Sequence, residues 1–321
     1  MPARAPDTEI LHPDAQGVAR ACALLRAGAL VALPTETVYG LAGDARNARA
    51  IAAIYAAKGR PALNPLIVHV ATLEDAEALA LFCDGARTCA RAFCPGPLTL
   101  VVPLRAGHGL AEAVTAGLPS VALRVPAHPL AQQVLAGFGG PLAAPSANPS
   151  GRISPTRAAH VMAGLSGRIA AVLDGGDCPV GLESTILGFD AGRPVLLRAG
   201  GVDVAALAEV LGEMPAMRDA GSKITAPGQL AAHYAPRAPL RLGVTQPEPG
   251  EIWIGFGPDC TGAALTLSER GDLAEAAMRL FAVLHQADET GRPIAVAPVP
   301  ETGLGLAIND RLRRAAAPRP L

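Results

Sequence analysis

The sequence predicts an α/β fold in two parts, and three observations carry that expectation. Short apolar runs of strand length alternate with capped amphipathic helices over 14–211; the alternation stops over 212–239; it then resumes on a smaller scale over 240–321. A chain of 321 residues suits about two domains of ~150 residues, each large enough to bury a core without disulfides or a structural metal. In the first part, Asp14 N-caps a helix over 14–27, and the apolar run 29–33 ahead of Pro34 reads as a strand buried on both faces. Asn47 caps a second helix ending at Lys58, and 65–70 is the next strand. Helices are expected over 73–81, 85–93, 128–136, 155–163 and 203–211. Strands are expected over 98–104, 120–125, 142–144, 170–173, 184–189 and 195–197. The pattern does not separate parallel from antiparallel pairing, and no internal repeat is evident.

The break over 212–239 holds Pro215, Pro227, Pro236 and Pro239 and spans 28 residues, longer than the ~12–15 of an ordinary loop, so a linker with a functional role is expected. After it, strands at 240–244, 252–256 and 294–297 and helices at 273–287 and 304–315 form the smaller domain. The expected domains are therefore 1–211, a linker or lid at 212–239, and 240–321.

Composition excludes several classes of function. Lys and Arg total 27 against 28 Asp and Glu, a net charge of -1, which removes the bulk attraction that nonspecific nucleic-acid or anionic-membrane binding uses. One Trp, three Tyr and six Phe are too few for a platform that stacks successive bases. Strong direct nucleic-acid binding is not expected. Apolar stretches fall well short of the ~20 residues that span a bilayer. The first residues carry Arg4, Asp7 and Glu9 in place of a secretory apolar core, so a cytoplasmic location is expected. Cys22, Cys83, Cys89, Cys94, Cys178 and Cys260 show neither a C-x-x-C pair nor zinc spacing and read as reduced thiols.

Polar residues concentrate where chemistry is expected. The loop P-T-E-T-V-Y-G from Pro34 leaves a buried strand, and strand carboxyl ends are where open α/β sheets place ligands. Its Thr35 and Thr37 suit a ligand or their own turn. Lys58-Gly59-Arg60-Pro61 follows a helix end and reads as lying outside the core. With only two lysines beside 25 arginines, Lys58 suits a phosphate point contact, although a cation there also complements the helix dipole. Asn64 and His69 could face the same cleft. S-A-N-P-S-G from Ser146, followed by Ser154-Pro155-Thr156 at an expected helix start, can aim backbone N–H groups at an anion. Arg124 inside the run V-A-L-R-V needs a salt-bridge partner or a ligand. E-S-T-I at Glu183 and L-R-A-G at Leu197 again embed polar groups in strands. No Walker A loop, strand-linked G-x-G-x-x-G or G-x-S-x-G elbow is present, which argues against a P-loop, a dinucleotide site and covalent catalysis.

Taken with K-G-R-P-A-L-N-P-L at Lys58 and H-Y-A-P at His233, these motifs in this order resemble the YrdC-type L-threonylcarbamoyladenylate synthases, in their longer two-domain form. The resemblance covers residues 17–236 by motif. It implies a twisted mixed YrdC-like sheet plus a smaller Rossmann-like C-terminal domain. The activity it implies is a nucleotidyltransferase reaction joining L-threonine, bicarbonate or CO₂, and ATP into threonylcarbamoyl-AMP and pyrophosphate. The product would pass to the machinery that transfers threonylcarbamoyl to tRNA. By resemblance, Thr35, Thr37, His69, Arg124, Ala144 and Ser184 match L-threonine positions. Lys58, Arg60, Asn64, Ser120, Ser146, Asn148, Ser154, Arg198 and Tyr234 match ATP positions, with Lys58 and Arg60 the catalytic pair. Mg²⁺ is expected with ATP, without a protein ligand motif. Two departures stand out: Ala42-Gly43 reverses the usual order after Y-G-L, and 227–232 lacks the basic and aromatic residues common before H-Y-A-P. The alternatives are a carbamoyl-adenylate-forming carbamoyltransferase and an RNA-binding or ribosome-associated protein on the same fold.

Overall fold

The computed structural model describes residues 7–61, 63–218 and 233–318. Along the chain these form β1 (Glu9–Leu11), α1 (Ala15–Arg26), β2 (Val31–Leu33), β3 (Gly40–Asp44), α2 (Ala48–Lys58), β4 (Ile67–His69), α3 (Leu73–Leu79), α4 (Asp84–Phe93), β5 (Leu98–Pro103), β6 (Ser120–Arg124), α5 (Pro129–Phe138) and β7 (Leu142–Ala143). Next come α6 (Ala158–Leu165), β8 (Ala171–Leu173), β9 (Thr185–Asp190), β10 (Arg193–Arg198), α7 (Val204–Leu211) and β11 (Ala216–Met217). The last group is β12 (Leu240–Leu242), β13 (Ile252–Gly255), β14 (Leu265–Thr266), α8 (Leu273–Glu289), β15 (Ile294–Val296) and α9 (Gly305–Ala316).

Helix ends follow the local chemistry of the sequence. The side chains of Asp14, Asn47, Asp203 and Asp272 each accept a backbone N–H at the first turn of α1, α2, α7 and α8. Helix α6 differs from expectation. It begins at Ala158, not at 155, and its N-cap Arg157 makes no side-chain capping bond. The Ser154 hydroxyl, a natural cap, instead donates to Glu183 Oε1 at 2.6 Å, so a tertiary contact has taken the group that would have started the helix.

The first eleven strands form one sheet in the order β1-β8-β2-β3-β7-β4-β6-β5-β9-β10-β11. Parallel and antiparallel pairs are interspersed through it, so the sheet is mixed. Strand β3 has the sequence GLAGD, with weak strand propensity; its pairing to β2 and β7 supplies what the local sequence does not. Residues 216 and 217, assigned from sequence to the linker, form β11 on the edge of this sheet beside β10. The second sheet is parallel throughout, in the order β12-β15-β13-β14.

The two parts share a core. Val38, Ile153 and Leu182 from the first part, together with Tyr234, pack into the cluster built on Ile252, Phe281, Leu284 and Ile308 of the second. The approach is close enough that a Cβ on Gly181 would lie 2.4 Å from the Met278 Cα of α8, so residue 181 has to be glycine for α8 to seat there. Among the described residues, no helix is long and apolar enough to cross a membrane.

Candidate active site

Strands β4 and β6 are parallel neighbours, and their register sets His69 beside Arg124 at their carboxyl ends. Strand β9 runs parallel to β5, which is antiparallel to β6, so the amino end of β9 opens at the same edge of the sheet. Ser184 precedes β9 there, and Arg198 closes β10 alongside, donating from Nε and Nη2 to the Ser184 carbonyl at 3.1 and 2.8 Å. The backbone of 183–185 passes so near Gly200 that a Cβ there would stand 2.3 Å from the Glu183 carbonyl oxygen, which explains the glycine of L-R-A-G. The loop after β2 and the loop after β7 come together when Gly40 bridges Ser146. These elements enclose a cavity of about 50 Å³ bounded by Thr37, Val38, Arg60, Ile67, His69, Arg124, Ala144, Pro145, Ser146, Glu183, Ser184, Arg198, His233 and Tyr234.

The cavity is polar and buried enough to perturb its groups. Arg124, 5% exposed, pairs with Glu36 Oε1 at 2.7 Å and donates to Thr37 Oγ1 at 2.8 Å. Burial would raise the Glu36 carboxyl, but the Arg124 guanidinium outweighs it and holds the group below its usual range. Burial, reinforced by Arg124, pushes His69 down to about 3, so the ring is neutral, and its Nδ1 has no hydrogen-bond partner among the described residues. Across the cavity, burial alone would raise Glu183. Arg311, then Arg198 and the Ser154 hydroxyl, reverse that and keep it ionised. Burial also lowers Arg60 to about 10 and His233 to about 3. The site thus presents fixed guanidinium groups, neutral imidazoles and one carboxylate, a set suited to binding anions and orienting them rather than to attack by a nucleophile.

A larger cleft of about 670 Å³ lies between residues 156–179 and α8. In its wall Arg157 pairs with Asp177 at 2.8 Å and Arg279 with Glu275 at 3.4 Å. Thr156 and Cys178 are buried there and burial pushes His160 down to about 3, but among the described residues it gathers no buried guanidinium or carboxylate, whereas the smaller cavity brings Arg124, Arg198 and Glu183 together. Convergence of buried charges, not size, marks the candidate active site.

The family model Sua5_yciO_yrdC, described as "Telomere recombination", matches residues 23–200, and the model for "Threonylcarbamoyl-AMP synthase, C-terminal domain" matches residues 202–317. The chain belongs to the Sua5/YciO/YrdC family. The threonylcarbamoyl-AMP synthase of Bacillus subtilis is 40% identical to it, over 97% of this chain and 96% of that one. The threonylcarbamoyl-AMP synthase of Pyrococcus abyssi is 39% identical over 93% and 94%. The crystal structure of P. abyssi Sua5 complexed with L-threonine superposes with a TM-score of 0.88 at 37% identity, covering 96% of this chain and 98% of that one. Escherichia coli YciO, at 19% identity and a TM-score of 0.54 over 61% of this chain, shares the fold. A full-length match that includes the C-terminal domain leaves neither the carbamoyltransferase nor the RNA-binding alternative favoured.

The fold gathers Thr37, His69, Arg124, Ala144 and Ser184 with Arg60, Ser146, Arg198 and Tyr234 around the cavity. Thr35 stands one layer back, bonded to the Thr37 hydroxyl at 2.9 Å and the Val38 carbonyl at 2.6 Å. Asn64 is buried next to Arg60, with both amide atoms unpartnered among the described residues. Ser154 reaches the cavity through Glu183. Asn148 spends its amide on the Pro149 and Arg152 carbonyls at 2.9 Å each. Ser120 opens β6 at the end opposite Arg124, outside the cavity wall.

Lys58 is a correction. Sequence put it outside the core, yet it is 3% exposed, and its ammonium donates to the Ser146 carbonyl and, at 2.6 Å, to the Asn148 carbonyl. Burial, then repulsion from Arg60, pulls its pKa well down. The buried lysine ties the end of α2 to the S-A-N-P loop, a long-range contact that helix-end reasoning does not reveal.

Sequence reasoning passed over three groups. Glu36 and Glu183 lay inside quoted motifs, each the carboxylate of a cluster of hydroxyl residues, Thr35 and Thr37 for the first and Ser184 and Thr185 for the second, and a buried carboxylate beside hydroxyls needs a cationic partner as Arg124 needs an anionic one. Arg311 had a similar mark: it sits on the face of α9 that also presents Ile308, Leu312 and Ala315, all buried.

Proposed function

We propose that the chain forms threonylcarbamoyl-AMP and pyrophosphate from L-threonine, bicarbonate and ATP, and that the cavity at the ends of β4, β6 and β9 is where it does so. The observation that carries the reading is the pairing of His69 with Arg124 across β4 and β6, with Arg60 and Arg198 facing the same small space. One arginine backed by a hydroxyl suits an amino-acid carboxylate, and a second cluster of guanidinium groups suits phosphates.

In this reading Arg124 takes the L-threonine carboxylate, while Thr37, Ser184 and neutral His69 hold its hydroxyl and amine. The amine adds to CO₂ derived from bicarbonate and loses a proton, giving a carbamate. A carbamate oxygen attacks the α-phosphorus as the bond to the bridging oxygen breaks and pyrophosphate leaves. Arg60 and Arg198 offset charge on the phosphates, and Lys58 shapes the loop around them. Mg²⁺ would arrive with ATP: the cavity wall offers one carboxylate, Glu183, and both of its oxygens already accept hydrogen bonds.

A cavity of about 50 Å³ is far below the ~300 Å³ of an ordinary ligand pocket, so ATP enters only after a wall moves. His233 and Tyr234 form that wall at the end of the linker, and we assign them the role of cover, which keeps water from the labile carbamate and adenylate. The middle of the linker, including the 227–232 departure, lies outside the described residues. The product would pass to the tRNA threonylcarbamoyl-transfer machinery in the cytoplasm.

The test is pyrophosphate release from ATP, which should require L-threonine and bicarbonate together. Release that is equal without bicarbonate would mean an ordinary aminoacyl-adenylate former and overturn the reading.

A further inference from the structure

Arg311 is fully buried, although it belongs to α9 of the C-terminal domain and does not itself line the cavity. Its Nε donates to Glu183 Oε2 at 2.8 Å and its Nη1 to Asp310 Oδ2 at 2.7 Å. Its guanidinium carbon sits 5.4 Å from the centre of the Tyr234 ring, within cation–π range. Its Nη2 is buried without a hydrogen-bond partner among the described residues. The same helix accepts the His233 backbone N–H at the Arg314 carbonyl, 3.2 Å away. One element of the second domain therefore holds both a wall of the site, Glu183, and its cover.

We propose that Arg311 is a positioning residue for the adenylation reaction, holding the Glu183 carboxylate and the Tyr234 ring against the nucleotide side of the cavity. This rests on the function proposed above. Stability alone does not account for a charge here, because a buried ion pair is often matched or bettered by apolar side chains of similar volume, and the surrounding cluster is already apolar. The guanidinium does something an apolar side chain cannot. It fixes one Glu183 oxygen while Ser154 fixes the other, which sets the plane of the carboxylate. The lone pairs left over suit hydroxyl donors, the chemistry of a ribose, rather than phosphates. Tyr234 has a positive φ of 63°, a conformation unfavourable for a tyrosine, so its seat between Arg311 and Phe281 is held by tertiary contacts and not by local preference.

The experiment uses the full chain with Arg311→Lys, Arg311→Met, Glu183→Gln and the double variant Arg311→Met with Glu183→Gln. Pyrophosphate release is measured against ATP and L-threonine from pH 5.5 to 9, beside thermal unfolding. Arg311→Met should lower kcat/KM for ATP by at least about tenfold, the effect of one lost hydrogen bond to a charged group, and leave the L-threonine KM near that of the wild type. It should also introduce a pH dependence. Glu183 is faced by Arg311 and Asp310 from α9, Arg198 from β10, the Ser154 hydroxyl, and His233 and Tyr234 of the cover. Without Arg311 its carboxyl pKa rises, so the variant's rate relative to the wild type, in which the pH dependence of the amine and of bicarbonate cancels, climbs with pH, and Glu183→Gln abolishes the climb. Arg311→Lys, with charge but no planar fork, should recover part of the rate, and it carries the same readouts if the Met variant does not fold. Arg311→Met should add little to Glu183→Gln. Unchanged ATP kinetics, a loss additive with Glu183→Gln, or a lowered unfolding temperature with a variant-to-wild-type rate ratio that does not change with pH would overturn the proposal. A wild-type chain without threonine-dependent release would sink the functional reading instead.

Discussion

Two buried arginine–glutamate pairs flank the cavity, and they face it in opposite senses. Arg124 and Glu36 meet at 2.7 Å, and Arg311 and Glu183 at 2.8 Å, with every side chain less than a tenth exposed. In the first pair the arginine lines the cavity and the glutamate backs it; in the second the glutamate lines and the arginine backs. The first lies within the large sheet and its loops, while the second crosses from α9 to the start of β9. The same bond therefore supplies a fixed cation on one wall and a fixed anion on the other. The site gets its polarity from which partner is turned inward, and the C-terminal domain controls one wall only.

The largest expected effect breaks the inner pair. Arg124→Met leaves Glu36 buried and unpaired, which should cost about 3–5 kcal/mol in urea unfolding, and adding Glu36→Gln should restore much of it. The surviving protein should need far more L-threonine with little change in ATP affinity. Equal stability of the single and double variants would show that the pair carries no coupling, and a defect confined to ATP would move Arg124 to the other wall.

Acid should act on both walls together. His69 and His233 lie near pKa 3 in the folded chain but ionise near 6.5 when unfolded, so the unfolded state binds more protons between those values. Their contribution is intact above pH ~6.5 and declines as pH falls toward 3, by up to about 1.4 kcal/mol per pH unit for each ring. Glu36 and Glu183, both depressed, lose their contributions at lower pH, as it falls through the carboxylate range. Unfolding midpoints that stay flat from pH 7 to 4.5 would rule out neutral buried imidazoles.

A smaller effect is expected at Lys58, which braces the S-A-N-P loop that carries Ser146 to the cavity wall. Lys58→Met should cost about 1.5–3 kcal/mol in stability through the carbonyls it leaves unpaired, and should weaken ATP turnover as the S-A-N-P loop relaxes. Turnover lost without any change in unfolding would return Lys58 to a direct phosphate role.

Exposed pairs set the lower end of the scale. Arg157 and Asp177 also meet at 2.8 Å, but their side chains are 52% and 66% exposed, and Arg157→Ala should change stability by less than about 1 kcal/mol and kinetics not at all. A cost as large as that of Arg124→Met would mean that distance and not burial governs these pairs.

Arg124 was legible from the sequence because a charge inside V-A-L-R-V is anomalous within five residues, and its partner lies in a loop already marked by P-T-E-T. The helices with Asp or Asn caps were legible for a related reason: cap and first turn are neighbours along the chain. Strands β3 and β11 were not, because glycine-rich GLAGD and the pair of residues after Pro215 exist as strands through their partners and not through their own propensity.

By itself the sequence determined the α/β class, the loops that line the cavity and most of the groups turned into it. Tertiary structure alone decided that Lys58 is buried, that Ser154 bonds Glu183 in place of capping α6, and that Arg311 reaches the first domain 128 residues from its partner along the chain. The physical reason is range. Caps, periodicity and anomalous charges are set by residues within a turn or two of one another. The cost of burying an ion is settled by whichever distant group the completed fold brings within hydrogen-bond reach.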